Sequence, residues 1–253
     1  MKPTIVLRVA AGAFIVGLIA FLPAKIIESP LNAAMAPVYS MTTAGTIWHG
    51  NGDLRVAKSP MLQFPIAWCF SPSALIRLRA AWQINVTAPA LEATLTAGTG
   101  FQSLELRALT LRADLATLSA LSPAAQLFRP AGRVQINSDS LTTQYANFMR
   151  LNGEAQIQLV DFALGSMAAN PLGSAQLKLT GKESTIDFAI EKSSGTVVLD
   201  GGGNTSTSAP RRFTYVGHAK VATDAPEAIK NAFNAIGKPL PDGRIRIDQS
   251  LNW

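Results

Sequence analysis

The chain has 253 residues, 48% hydrophobic and only 15% charged, which is length enough for one large domain or two small ones with a sizeable core. Its net charge of +6 comes from scattered basic residues, not from a stripe with interleaved aromatics, and this argues against a nucleic-acid partner. A single cysteine, Cys69, excludes an internal disulfide and a paired-cysteine metal site, and the two histidines, His49 and His218, do not make a zinc site by themselves.

The chain opens MKPTIVLRVAAGAFIVGLIAFLPAKIIES. Residues 9–22 carry no charge, and the apolar stretch extends back past Arg8 to Thr4. A spanning helix needs about 20 mainly apolar residues, and Arg8 can reach the headgroups on the side of Lys2. Residues 1–25 are therefore expected to be a cytoplasmic start and an uncleaved transmembrane anchor. Lys2 and Arg8 outweigh Lys25, which puts the N-terminus in the cytoplasm. The rival is a cleavable signal peptide. Ala34-Met35-Ala36 fits its small-residue rule, but Pro37 would block the cut. Residues 26–40 then read as a linker and 41–253 as an extracytoplasmic domain, which in a bacterium means the periplasm.

From residue 41 the dominant period is two. MTTAGTIW, GDLRVA, LQFPIAWCF, WQINVTA, LEATLTA, SLELRALTLRA, GRVQINS, GEAQIQLVDF, SAQLKLTG, STIDFAIEK, GTVVLDG, RRFTYVGHAKVA and RIRIDQSLNW all alternate apolar and polar residues. That is the pattern of half-buried antiparallel strands. In AGTIWHG, residues 44–50, Thr46 and Trp48 alternate along a strand, Gly50-Asn51-Gly52 is read as the tight hairpin, and Leu54 and Val56 begin the return. Trp48 is the expected buried anchor of this corner, with Gly45 leaving room for its indole or permitting a bulge. His49 has no sequence-local partner to activate it. Cys69, between Trp68 and Phe70, is expected to be a buried and unreactive packing residue.

Two segments break the period. Residues 113–129 place Leu115, Leu118 and Leu121 at helical spacing, with Pro123 kinking or ending the first part. Residues 224–237 read as a second amphipathic helix. Asp224 suits its N-cap and Pro226 and Glu227 its first turn, while Ile229, Phe233 and Ile236 form one face and Gly237 closes it. Between these segments, GGGNTSTSAP at 201–210 has the composition of a flexible loop. Each helix is followed by similar text, RPAGRVQINSDSL and LPDGRIRIDQSL, which aligns Gly132 with Gly243. The domain is accordingly read as two similar β-rich halves. No catalytic, cofactor or metal residues are assigned. The motifs of hydrolases, nucleotide-binding loops and zinc proteases are absent, and the acidic residues stand singly in strands.

The order of these signals resembles a known family. An N-terminal anchor is followed by Leu22-Pro23-Ala24, then by Gly45-Thr46-Ile47-Trp48-His49-Gly50, a strand containing Trp68, a turn at Ser71-Pro72-Ser73, a Leu-rich helix, and a closing helix, glycine and strand. This layout is similar to that of the protein N family of the bacterial type II secretion system, itself similar to the larger AsmA-like group of envelope proteins. Gly45, Trp48 and Gly50 match the family's motif, as residues of structural role. The resemblance implies a mainly-β fold, an extended, curved AsmA-like antiparallel sheet with two short amphipathic helices, preceded by one N-terminal transmembrane helix. It implies a non-enzymatic accessory component of type II secretion, single-pass in the inner membrane, supporting export of folded proteins across the outer membrane. Its expected partners are other inner-membrane or periplasmic subunits of the system, the inner membrane itself, and lipid. The alternative it carries is a periplasmic lipid-binding or lipid-transfer module in envelope maintenance. A third reading rests on the end of the chain, where an alternating strand closes on Trp253 as outer-membrane barrels often do. Closely spaced charges such as Arg77 and Arg79 speak against it, as does the N-terminal anchor.

Overall fold

The structure is a computed structural model that describes residues 17, 20–56, 59–77, 79–100, 102–120, 129–145, 147–165, 171–206 and 212–252. The chain divides into two compact units, Met1–Ala88 and Pro89–Trp253.

In the first unit a helix, α1 (Lys25–Met35), precedes β1 (Tyr39–Gly45), β2 (His49–Val56) and β3 (Ser59–Phe70). A short 3-10 helix (Pro72–Arg77) then leads into β4 (Ala80–Ala88). The strands lie in chain order and pair antiparallel. Successive side chains of a strand face opposite ways. One face therefore collects Met41, Leu54, Ile66, Trp68, Trp82 and Ile84, which pack with Ala24, Leu31 and Met35 into the core of the unit. All but the first residue of this helix falls in the span 26–40 read as a linker, and the helix has a definite place. Asn32 accepts the N–H of Met41 at 2.6 Å and donates to its carbonyl at 2.9 Å. Glu28 accepts both the N–H and the hydroxyl of Thr43, and Ala24 donates to the carbonyl of Gly45 at 3.0 Å. Three residues spaced by four on the helix thus answer three residues spaced by two on the strand. The open edge of β1, which would otherwise be a template for pairing, is closed by two side chains and one backbone N–H.

The second unit is a longer antiparallel meander. Its strands are β5 (Leu91–Thr99), β6 (Ser103–Asp114), β7 (Pro130–Gln144), β8 (Asn147–Leu164), β9 (Gly173–Lys182), β10 (Thr185–Ser194), β11 (Val197–Ser206) and β12 (Arg212–Val221), each beside the next. After β12 come β13 (Lys238–Pro239) and β14 (Ile245–Asn252), with β14 seated between β12 and β13. A helix, α2 (Leu115–Ala120), follows β6, and α3 (Glu227–Ile236) follows β12. Ala219, Ile245 and Ile247 form a buried cluster against Leu199, Tyr215, Val221 and Phe233. Gly132 and Gly243, aligned in the sequence, both hold positive φ (108° and 78°), each near the start of the strand that follows a helix.

Several expectations are corrected. The mainly-β, antiparallel AsmA-like character with a few short helices stands, but the expected curvature of the sheet and the transmembrane helix before it do not. In neither unit does the ladder curl round and close, and no helix among the described residues is long and apolar enough to cross a membrane. The same finding overturns the single-pass inner-membrane topology with a cytoplasmic N-terminus. Residues 1–16, 18 and 19 of the expected anchor lie outside the described residues, as do 121–128 of the first expected helix and Trp253.

Residues 201–206 of the expected loop are strand. The small glycine floor of β11 faces aromatic rings: Phe188, opposite Gly203, stacks on Phe213 at 5.5 Å and on Tyr215 at 6.1 Å. Asp224 does not cap α3, because the helix begins one turn of chain later with Pro226 at its N-cap and no side-chain cap bond. Gly237 does end it, in an extended conformation with φ −134°. Ile229 is 2% exposed and Phe233 packs on the core, whereas Ile236 is 47% exposed and lies off the buried face.

Candidate functional site

The motif of residues 45–50 forms the first hairpin, but not in the register its text suggests. Gly45 pairs with Gly50, so the turn is Thr46-Ile47-Trp48 and Gly50-Asn51-Gly52 lies within β2. Thr46 closes the turn. Its N–H donates to the carbonyl of His49 at 2.9 Å, and its hydroxyl accepts the N–H of His49 at 3.1 Å. Gly45 sits at φ +90°, which L side chains rarely adopt. Gly50 is required for a different reason. A Cβ there would lie 2.8 Å from Cε2 of Trp68, so the strand has no side chain where the indole lies against it.

Trp68, not Trp48, is the buried anchor, at 8% exposed. Its indole N–H donates to the carbonyl of Thr46 at 3.0 Å, and that of Trp82 donates to the carbonyl of Ile47 at 2.9 Å. Two indoles on β3 and β4 thereby satisfy consecutive turn carbonyls, which strand pairing leaves without partners. The turn is also tied backward: Pro23 bridges to Thr46, and Ile47 donates to the carbonyl of Leu22 at 3.0 Å. Trp48 is only half-buried. Its ring meets Phe70 edge-on at 4.7 Å, and Phe70 meets Trp82 at 5.5 Å. His49 is exposed on the opposite face, in register with Cys69. Cys69 is likewise exposed, which corrects its expected burial. The aromatic residues on either side of it point inward, and alternation turns the cysteine out.

The hairpin holds Gly45, Trp48 and Gly50, while Trp68, Phe70 and Trp82, which pack on it, lie outside the motif. The alternation Ile66-Trp68-Phe70 held the signal, because it puts both rings of β3 on one face. The pairing with Trp82 on β4 needed the register.

A second feature lies within the other unit. Between α3 and one face of β8–β11 is a cavity of about 210 Å³, lined by such residues as Leu159, Leu177, Ile190, Leu199, Ile229 and Phe233. None of the residues lining it is charged. Nearby, burial and then the carboxylate of Asp200 push the Tyr215 phenol up, while its hydroxyl donates to the carbonyl of Asp200 at 2.9 Å. Among the described residues no group of His, Cys, Asp or Glu is arranged to hold a metal ion. What the two features offer is surface and space, with no paired acid and base.

The family model described as "Type II secretion system (T2SS), protein N" matches residues 40–248, from β1 into β14. No curated protein and no solved structure matches the chain.

Proposed function

The chain belongs to the protein N family of the type II secretion system, and from that membership we propose that the 45–50 hairpin is the surface through which it meets another subunit of the system. Members are non-catalytic accessory subunits, and membership implies contact with other components of the machinery. The observation that carries the reading is how the hairpin is held. Two indole N–H groups clamp its carbonyls, while Trp48 remains half-exposed and His49 exposed at the tip. A rigid tip bearing an aromatic ring loses little conformational entropy on docking, and aromatic residues dominate interface energetics.

The test is Trp48→Ala and His49→Ala, singly and together, in the native host, with a known secreted enzyme followed in medium, periplasm and membranes. The expected result is accumulation of the enzyme in the periplasm with the variant chain at its normal level. Normal secretion by the double variant would sink the hairpin as the contact. A second reading, an apolar-ligand module in envelope maintenance, draws support from the cavity beneath α3. It is separated by a clean deletion. If secretion is normal and the outer membrane becomes leaky to detergent, the second reading takes the place of the first.

A further inference from the structure

We propose that the cavity between α3 and the β8–β11 face binds the end of one unbranched alkyl chain, the headgroup staying outside; this deepens the apolar-ligand reading and rests on it. Three observations point to that ligand class. The volume is about 210 Å³. An apolar cavity of roughly 150 Å³ stays dry and takes benzene, whereas pockets for whole drug-sized ligands begin at roughly 300 Å³. The space therefore suits one chain end and excludes a complete lipid.

The wall carries two side-chain polar groups, both serine hydroxyls and each already accepting a backbone N–H. The Ser193 hydroxyl accepts the N–H of Leu199 at 3.0 Å, and the Ser174 hydroxyl accepts the N–H of Asp161 at 3.2 Å. A peptide entering here would bring more amide groups than two serine hydroxyls can answer, while an alkyl chain has no such groups. Finally, the roof is secured beside the cavity and not by filling it. Phe233 packs on the cluster of Ala219, Ile245 and Ile247, and Gln249 of β14 donates to the carbonyl of Ile236 at 2.8 Å. Over the void α3 presents Ala232, the smallest side chain it has there.

The full-length protein is irradiated with decanoic acid carrying a diazirine at its far end, then digested and mapped by mass spectrometry. The expected label falls on peptides spanning 172–177 and 229–233, is displaced by excess decanoate, and drops several-fold in Ala232→Phe, which fills the space. Ala175→Leu closes the same space from the sheet side and guards against a misfolded first variant; circular dichroism verifies both. Competed label elsewhere on the chain overturns this site while leaving the apolar-ligand reading standing. No competed label anywhere overturns both. Displacement by an apolar peptide but not by decanoate overturns the alkyl assignment in favour of a protein side chain.

Discussion

Trp48 and Trp68 stand twenty residues apart in the sequence, and Trp48 belongs to the turn that Trp68 supports. Trp68 lies beneath it, buried and bonded through its indole N–H to Thr46. Truncating it removes a large core side chain and leaves a turn carbonyl without its donor. Trp68→Ala is expected to cost about 3–5 kcal/mol. Trp48→Ala, which loses a half-exposed ring and its contact with Phe70, is expected to cost distinctly less. Urea unfolding of the two variants side by side checks the order, and equal losses would show that Trp48 is a core residue after all. Cys69 gives the other prediction at this scale. As an exposed thiol it is expected to react with a maleimide in the folded protein at the rate of a free thiol, without denaturant. Protection of the native protein would restore the packing role that its aromatic neighbours suggest.

Helix α1 holds the edge of β1 through a carboxylate, and that makes the contact sensitive to acid. The hydroxyl of Thr43, and next its backbone N–H, hold the Glu28 carboxyl below its ordinary value by bonding to the charged form. A carboxyl with a depressed folded pKa contributes stability above its unfolded value and loses it as pH falls through the folded one. The first unit is therefore expected to weaken as pH drops through and below the ordinary carboxylate range of about 4. Glu28→Gln is expected to flatten that dependence. Tryptophan fluorescence during urea unfolding reads it in a Trp253→Phe background, since the other three tryptophans, Trp48, Trp68 and Trp82, all belong to the first unit. An unchanged slope in the variant would refute the link. Asp242, also lowered by bonds from Arg244, belongs to the second unit, which holds none of those three tryptophans. At the same scale, α3 shows what periodicity delivers. The apolar spacing of Ile229 and Phe233 located the helix and its buried face, but Asp224 lost the capping position because Pro226 set the entry.

At the scale of the whole chain each unit has its own buried cluster, and the last strand belongs to the second one. Ile245 and Ile247 of β14 supply two of its three buried residues. A chain ending at Arg244 would uncover that cluster and leave β12 as a bare edge. It is expected to lose the cooperative unfolding of the second unit while keeping the tryptophan signal of the first. A full cooperative transition in the truncated chain would mean that β14 is dispensable.

The sequence by itself determined the class of the fold, because a period of two needs only a sheet with one wet face. It also determined the family, because glycine and tryptophan at fixed spacing survive without any knowledge of register. The tertiary structure decided which tryptophan is buried, where the turn falls, that Cys69 faces out and that the glycine run is strand. Each of these depends on which residues lie opposite one another across strands, and a one-residue shift reverses the face of every side chain. The helix that closes the edge of β1 was illegible for the same reason. Its polar residues Glu28 and Asn32 look like solvated positions until Thr43 and Met41 are set beside them. The apolar sequence of residues 9–22 reads as a membrane anchor by length and hydropathy; most of it lies outside the described residues, among which no helix is long and apolar enough to cross a membrane. Local apolarity states what a segment could enter, and only the assembled elements state what it packs against.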